Sequence, residues 1–518
     1  MKLPAVSRLP SYWPYAALAL IVLALLAAIL ILNGGHFVYT LDDAYIHLAF
    51  SEQLGQGHFG LVPGEPASPS SSILYPLLLL PLTGTALHEF QPLAWNLVAL
   101  FATLFLWLRL LRNFALETHQ ILASVLAVFA LLALNQAGLA FSGMEASLQI
   151  ACSLAVTVGL IEFLFAGRLR WWFIAGIVLG PLLRYESLTV SLPALAILTG
   201  YSRWRIAALC LAFVAAVLGG YALYSASLGL PMVPGSLLVK TSFDDPALDL
   251  WSGMTGAIEH LYRSIVGWRR DLPVLLLIGL LAIDFFRRRQ GRERLLVGFA
   301  LLVLLAQFAF GGHGSLGRYD AHAWSCGLAV AAFVHRDLLR RLAARGNAAA
   351  GGIAAVVLIC LFPYTTAMAA TTPLAANNIY AQQFQMRRFL VDFVKAKALV
   401  NDAGLTAYRN PYGIVDIVGL GSEKIRRLRR DDKLDRDAIR QLTDDVVVAV
   451  FYYDWLPVRP AWWPVAMLNL PGFRISVAER TVVIYVLHAP DGTRVHDAVE
   501  RFKATLPAGI SISPIAPA

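Results

Sequence analysis

Residues 14–32 read PYAALALIVLALLAAILIL and are followed directly by NGGHFVYTLDDAYIHLAF at 33–50. The first stretch is an uninterrupted apolar run, long enough as a helix to cross a hydrocarbon core of roughly 30 Å. It is too long for the core of a signal peptide and no small-residue cleavage site follows it, so we expect a retained anchor. The acidic pair Asp42 and Asp43 is then pinned to one membrane face, which suggests chemistry there. The alternative is that both are solvated loop residues.

The composition is that of a protein with many membrane spans. Hydrophobic residues make up 58% of the chain and charged residues 14%, with a mean hydropathy of +0.64. A soluble protein carries roughly 25% charged residues. The net charge of +9 does not indicate nucleic acid, because the Arg residues lie mostly between apolar segments, as membrane topology requires. The four cysteines lie singly in apolar stretches and predict neither a disulfide framework nor a metal cluster.

Eleven apolar segments predict transmembrane helices. They are residues 14–32, 93–111, 121–139, 147–166, 171–183, 187–200, 206–228, 272–286, 295–310, 321–335 and 352–370. A further run, 73–87, is short and holds two prolines, so it is interpreted as re-entrant or interfacial, with a full span as the alternative. The distribution of Arg and Lys favours the re-entrant interpretation, because short cytoplasmic loops collect positive charge. If 73–87 does not span and the amino terminus is inside, every inner loop is basic.

The chain changes character near residue 372. From there to 518, polar helical stretches alternate with short strand-like runs such as VVVAVFYY and TVVIYVL. This pattern predicts an α+β domain, and the topology places it outside the membrane. We therefore divide the chain into a transmembrane domain, 1–371, whose first outer loop is 33–72, and a C-terminal domain, 372–518.

Polar residues beside the apolar segments converge on the predicted outer face. Besides the acidic pair they are Glu145, Arg184, Glu186, Lys240, His313, Arg318 and Tyr319. A charge at a helix centre costs about 3 kcal/mol, so such groups are usually paired or line a wet cavity. A carboxylate can take a proton from an acceptor hydroxyl while cations neutralise a leaving phosphate, which are the two functions that glycosyl transfer from a lipid phosphate needs.

Each of these residues has a structural alternative. Glu145 and Glu186 would pair with Arg184 or Arg318 to hold helix ends together. Lys240 would be a snorkelling surface residue and His313 an ordinary loop residue. Tyr319 would belong to the aromatic belt of the membrane interface. The aromatic segment FYYDWLPVRPAWWP at 451–464 either stacks on an acceptor sugar or forms domain core and interfacial anchors.

The first outer loop carries a resemblance to a known family. DDAYIHLAFSEQLGQGHFGLVPGEPASPSSSILYP, residues 42–76, resembles the opening loop of the C superfamily of glycosyltransferases (GT-C), and within it the arabinofuranosyltransferases of the cell envelope and their pilin-glycosylating relatives. The matching positions are Asp42, Asp43, Tyr45, Gly55, Gly57, Gly64, Glu65 and Ser68 to Ser72. SGME at 142–145 matches an S-G-x-E segment, and RYE at 184–186 stands where relatives often have R-P-E. A looser echo is NDAGLTAYRNPYGIVDIVGL at 401–420.

The resemblance implies a fold and an activity. It implies a GT-C fold of about 11 transmembrane helices plus the re-entrant segment, in a bacterial inner membrane, with the active site on the periplasmic side. It implies transfer of a sugar, D-arabinofuranose, from a polyprenyl-phosphate donor to a hydroxyl of a glycan or protein acceptor. Asp42 is then the first choice for general base and Asp43 the second. A polytopic transporter or flippase of lipid-linked sugars is the alternative.

A metal is left open by the sequence. Adjacent carboxylates oppose joint ionisation unless a cation lies between them. Some members of the superfamily use a divalent ion at this place, so the resemblance allows Mg²⁺ or Mn²⁺ with Asp43 as a ligand. The phosphate and sugar of the donor are expected to be bound by the other polar residues of the outer face, which are Glu145, Arg184, Glu186, Lys240, His313, Arg318 and Tyr319.

Overall fold

The structure is a computed structural model that describes residues 12–234, 268–287, 291–310, 315–346, 352, 371–456 and 459–515. Apolar helices dominate its first part. They are α1 (Trp13–Leu32), α2 (Asp43–Gly55), α3 (Leu74–Leu78), α4 (Gln91–Leu110), α5 (Gln120–Ala133), α6 (Gln136–Leu139), α7 (Ala146–Ala166), α8 (Trp171–Leu183), α9 (Leu188–Gly200), α10 (Trp204–Ser227), α11 (Trp268–Arg287), α12 (Arg292–Phe310), α13 (Ala321–Val334) and α14 (Arg336–Ala344).

Ten of the eleven predicted spans coincide with helices, and the eleventh, 352–370, lies almost entirely outside the described residues. By length and composition, four helical stretches of the described chain are long and apolar enough to cross a membrane, or up to five if a bent pair is one span. The protein is therefore built for multiple membrane crossings, while the count of eleven stays a prediction.

One predicted span, 121–139, is broken. Helices α5 and α6 meet at a bend of 57° because Asn135, between them, has a left-handed backbone with φ +53°. The Asn135 side chain donates a hydrogen bond of 2.8 Å to the carbonyl oxygen of Leu316. Hydropathy alone did not show this bend, because Asn135 and Gln136 are two polar residues within a longer apolar run.

The segment 73–87 is not one continuous helix. It forms α3 and two short 3-10 turns, Leu80–Leu82 and Ala86–Phe90. At 1.5 Å per residue, the five residues of α3 cover only about 8 Å. The interpretation of 73–87 as a re-entrant or interfacial segment is consistent with these short turns.

The C-terminal region is α+β, as predicted. A helical segment from Thr372 to Val394 leads into a six-stranded mixed sheet of order β2-β1-β3-β5-β4-β6. The strands are β1 (Ala398–Val400), β2 (Ile414–Asp416), β3 (Val448–Phe451), β4 (Trp463–Asn469), β5 (Thr481–Val486) and β6 (Ser511–Pro514). The helices between them are α15 (Gly404–Ala407), α16 (Glu423–Arg430), α17 (Arg436–Leu442) and α18 (Gly492–Lys503). Strand β1 is parallel to β2 and β3, and the other pairs are antiparallel.

The first outer loop shares a hydrophobic core with the C-terminal sheet. Buried side chains of α2 such as Tyr45 and Leu48 belong to one cluster with Val448 and Ile484 of the sheet. A separate cluster fills the helix bundle, and a third covers the opposite face of the sheet. The acidic pair therefore lies where the bundle and the C-terminal region meet. The domain boundary at 371/372 stays a prediction.

Candidate active site

Asp42 is held by the C-terminal region. It directly precedes α2, and its two carboxylate oxygens accept hydrogen bonds from the backbone amides of Gly404 and Leu405, each at 2.9 Å. A side chain at position 404 would not fit, since a Cβ there would lie 2.2 Å from the Asp42 carbonyl oxygen and 2.5 Å from Oδ2. The base predicted from the sequence is thus oriented by residues about 360 positions away in the chain.

Asp43 faces the helix bundle instead. It is the first residue of α2, where a negative charge interacts favourably with the helix dipole. Its Oδ2 accepts a hydrogen bond of 2.9 Å from Nη1 of Arg318, and its side chain is 32% exposed. Arg318 is buried and its guanidinium lies 4.6 Å from the centre of the Tyr319 ring. Asp42 therefore has backbone amides as its partners, and Asp43 has a guanidinium. This difference lets both carboxylates lie at one site.

A third carboxylate, Asp402, lies beside the pair. Its Oδ2 accepts a hydrogen bond of 2.8 Å from Nε2 of Gln383, and the hydroxyl of Tyr452 lies 2.9 Å away. Burial, followed by the charge of Asp402 and that of Asp43, raises the pKa of Asp42, and the two amide bonds lower it, so that the resulting pKa is about 8. Burial likewise raises the pKa of Asp402. A carboxyl with such a pKa can take up a proton near neutral pH.

Glu145, Arg184 and Glu186 form a connected ion-pair chain. Arg184 Nη1 donates to Glu145 Oε1 at 2.8 Å, and Nη2 donates to Glu186 Oε1 at 2.6 Å. Glu145 is completely buried, and His47 of α2 approaches its other oxygen at 3.4 Å. This arrangement favours the structural alternative for Glu145, since its carboxylate is enclosed by protein groups.

Tyr319 connects this chain to the acidic pair. Its ring lies 5.5 Å from the Arg184 guanidinium and 4.6 Å from that of Arg318. Its hydroxyl accepts a hydrogen bond of 2.5 Å from Nη2 of Arg318. Tyr319 therefore lies between two guanidinium groups. A residue of the aromatic belt would not need this position.

Two predicted site residues, Lys240 and His313, lie outside the described residues. Three others were missed by the sequence argument: His47, Asp402 and His322. His47 stands four residues after Asp43, hence on the same face of α2, which was a usable signal. Asp402 lies in the NDAGL echo. His322 is fully buried.

The acidic residues do not fit a divalent metal. Within the described ranges, no three His, Cys, Asp or Glu side chains come together in a way that could hold an ion. Asp43, the proposed ligand, is bound to the guanidinium of Arg318, and the oxygens of Asp42 face backbone amides. No step of the chemistry proposed below is assigned to a metal.

A groove of about 700 Å³ borders the C-terminal half of α2, from Ala49 to Gln53. It lies between that helix and the loop that follows α15, and its polar lining includes Glu52, Gln53, Arg409 and Asn410. Of the aromatic segment at 451–464, Tyr452 is buried beside Asp402, while Tyr453 and Trp463 are more than half exposed. The segment thus divides between domain core and surface.

Comparisons with known proteins concern the fold and the C-terminal region. A family model described as a domain of unknown function (DUF8728) matches residues 377–485. No curated protein matches the chain in sequence. Arabinofuranosyltransferase AftD from Mycobacteria is similar in structure with 15% identity and a TM-score of 0.43, over 94% of this chain and 42% of that one. Such a score is too low to establish a common fold.

Two crystal structures of ArnT from Cupriavidus metallidurans are more similar. The apo form has 13% identity and a TM-score of 0.52, and the form bound to undecaprenyl phosphate has 12% identity and a TM-score of 0.50. Each likeness covers 92% of this chain and 99% of ArnT, so it includes the helix bundle and the C-terminal region together. The chain therefore has the GT-C fold that its first outer loop predicts.

Proposed function

We propose that this protein is a membrane glycosyltransferase that moves a sugar from a polyprenyl phosphate to a hydroxyl of an acceptor on the outer face of the membrane. The observation that carries the proposal is the site at the start of α2, where one carboxylate is held by amides and its neighbour is paired with a buried Arg. ArnT, which has the same fold, has been crystallised with undecaprenyl phosphate, and this supports a donor of that class.

Asp42 is the proposed general base. Each carboxylate oxygen has two lone pairs and uses one of them on a backbone amide, so a second remains for the proton of the acceptor hydroxyl. The acceptor oxygen attacks the anomeric carbon of the sugar, the bond to phosphate breaks, and the configuration inverts. The proton goes to Asp42 and the electron pair leaves with the lipid phosphate.

Arg318 is the proposed partner of the leaving phosphate. It is buried, and its Nε makes no hydrogen bond to any group that the structure describes, while its two terminal nitrogens hold Asp43 and Tyr319. An unused donor on a buried cation suits an anion that arrives with the substrate. Arg184 lies on the other side of Tyr319, where its charge is balanced by Glu145 and Glu186. Lys240 and His313 remain proposed donor ligands on sequence grounds.

The finer points of the substrate follow from the resemblance. D-arabinofuranose is the proposed sugar, and a periplasmic glycan or protein such as a pilin is the proposed acceptor. The groove beside the C-terminal half of α2 is the proposed binding surface for that acceptor. The polar lining of this groove suits a chain of hydroxyl or amide groups.

The test is transfer by the full chain in lipid nanodiscs, with radiolabelled polyprenyl-phosphate D-arabinofuranose and a panel of other polyprenyl-phosphate sugars. We expect sugar transfer by the wild type and none by Asp42→Asn, because the amide cannot take the proton. Uptake of the donor into sealed vesicles without transfer would instead identify a transporter or flippase.

Asp416→Asn is the matched control. Asp416 is also a buried carboxylate whose two oxygens accept backbone amides, at 2.9 Å from Val418 and 2.8 Å from Gly421. It belongs to the C-terminal sheet and makes no contribution to the proposed site, so its variant should keep wild-type turnover. Equal turnover by Asp42→Asn and wild type would disprove the base assignment.

A further inference from the structure

The second contribution to the site comes from a turn of the C-terminal region, residues 401–405, which reads NDAGL. This turn precedes and begins α15 and supplies both amides that hold Asp42. We propose that the 401–405 turn completes the active site, with Gly404 and Asp402 as positioning residues for Asp42. This inference deepens the proposed function and, in its kinetic part, rests on it.

The geometry of the contact fixes the direction of the carboxylate. Hydrogen bonds from two successive amides to two different oxygens leave the Asp42 side chain little freedom to rotate. Gly404 makes the approach possible, because a Cβ would lie within 2.6 Å of the carboxyl carbon. Its backbone φ is not in the left-handed region, so the glycine is required by space and not by conformation.

The turn is itself anchored within the C-terminal region. Gln383, on the helical segment that enters the domain, donates to Asp402, and the Tyr452 hydroxyl, at the end of β3, lies at hydrogen-bond distance. The Thr406 hydroxyl donates to the backbone carbonyl of Asp402. The orientation of Asp42 is thus tied to the core of a different part of the protein.

Asp402 also acts on Asp42 through its charge. The titratable groups that face Asp42 are Asp43 and Tyr45 from α2, and Asp402 and Tyr452 from the C-terminal region. Asp402 is the largest of the charge effects that raise the pKa of Asp42. Removing its negative charge therefore favours the ionised, proton-accepting form of Asp42 at lower pH.

The first test needs no activity. Hydrogen–deuterium exchange of the full chain in nanodiscs reports on the amides of Gly404 and Leu405. We expect Asp42→Ala to raise exchange in peptides covering 401–408 by about tenfold, since two backbone amides lose their side-chain acceptor. In the control, Asp416→Ala, exchange should rise around 416–421 and not in the turn. Unchanged protection of 401–408 in Asp42→Ala would overturn the proposal.

The second test uses the pH dependence of kcat for polyprenyl-phosphate D-arabinofuranose. Asp402→Asn should move the acid limb to lower pH by about one unit, because a like charge next to the base is lost. A purely structural role would lower activity at every pH without moving the limb. Gly404→Ala should lower kcat about tenfold or more with little change in KM for the donor, because misplacing a catalytic group acts on the reacting geometry.

The matched control for the glycine is Gly492→Ala, which lies at the start of α18 with open space around its Cβ position and should be neutral. If Gly404→Ala does not fold, the pH dependence of kcat for Asp402→Asn decides the kinetic test by itself. An unshifted limb in Asp402→Asn together with wild-type kcat in any folded Gly404→Ala would refute the positioning role. If the wild type transfers no sugar at all, the proposed function fails, and the exchange measurement alone decides whether the turn holds Asp42.

Discussion

At the scale of single residues, neighbours in sequence have separate surroundings. Asp42 is bound by backbone amides from the C-terminal region, and Asp43 by the guanidinium of Arg318 before α13. Two adjacent carboxylates on bare loop backbone would repel each other. Here the pKa of Asp42 is raised to about 8, chiefly by burial, while Arg318 pairs with Asp43. The two carboxylates need not be ionised together, so both can lie in one site without a metal between them.

Arg318 gives the prediction at this scale. Arg318→Ala removes the partner of Asp43 and the proposed phosphate contact, so kcat should fall about 100-fold, the usual cost of removing a donor to a developing charge. Arg318→Lys should recover part of the rate, because it keeps the charge and loses the planar fork. Both variants are measured in the nanodisc transfer assay at saturating donor.

The control for this prediction is Arg340→Ala. Arg340 also makes two ion pairs, with Glu117 at 2.6 Å and Asp337 at 2.9 Å, but on the predicted inner side. Its loss should leave kcat unchanged. A rate for Arg318→Ala within twofold of the Arg340→Ala rate would remove Arg318 from the mechanism.

At the scale of elements, the S-G-x-E segment before α7 requires a glycine at its second position. Gly143 has φ +69°, and a Cβ on it would lie 2.5 Å from the Cβ of Ala44 and 2.7 Å from the Tyr39 ring. The carbonyl of Gly143 also accepts a hydrogen bond of 2.9 Å from the Tyr75 hydroxyl. The motif therefore brings the start of α7 directly against the start of α2, and Glu145 follows as a buried ion-pair partner.

Gly143→Ala and Gly167→Ala form a matched pair that separates space from conformation. Both glycines have left-handed backbones, φ +69° and +67°, but nothing lies within 4 Å of the Cβ position at Gly167. Overpacking should make Gly143→Ala less stable than Gly167→Ala by about 1–3 kcal/mol. Thermal unfolding of both variants in one detergent measures the difference. Equal melting temperatures would mean that Ala44 and Tyr39 move aside without cost.

At the scale of the whole molecule, the helix bundle and the C-terminal region form one functional unit. They share the core around α2 and meet at the acidic pair, and the likeness to ArnT includes both. A ligand of the site would be in contact with both parts, so the C-terminal region belongs to the enzyme's chemistry in our proposal.

The predicted topology is tested by labelling. In a variant without native cysteines, we expect Lys433→Cys, exposed between α16 and α17, to react with a membrane-impermeant maleimide in intact spheroplasts. Arg341→Cys, exposed on α14, should react only after the membrane is opened, because its basic segment is predicted to be inside. The reverse pattern would place the proposed site in the cytoplasm and exclude a periplasmic acceptor.

Hydropathy and the order of the motifs are sufficient to predict most of the long helices and the fold class. A lipid bilayer requires long apolar helices whose backbone groups are satisfied internally, so hydropathy alone located ten of the helices, and the ordered motifs of 42–76 indicated GT-C. It could not show the bend at Asn135, because local apolarity does not encode a change of direction.

The residues that surround the acidic pair, in contrast, are apparent only once the chain is folded. The NDAGL turn, Gln383 and Tyr452 are far from Asp42 in the sequence, and no local pattern connects them with it. They become part of its surroundings because the core around α2 packs the C-terminal sheet against the first outer loop. The enclosure of Glu145 by Arg184 and His47 has the same origin. Periodicity and hydropathy are local properties of a chain, whereas the placement of a proton acceptor depends on which distant surfaces exclude water together.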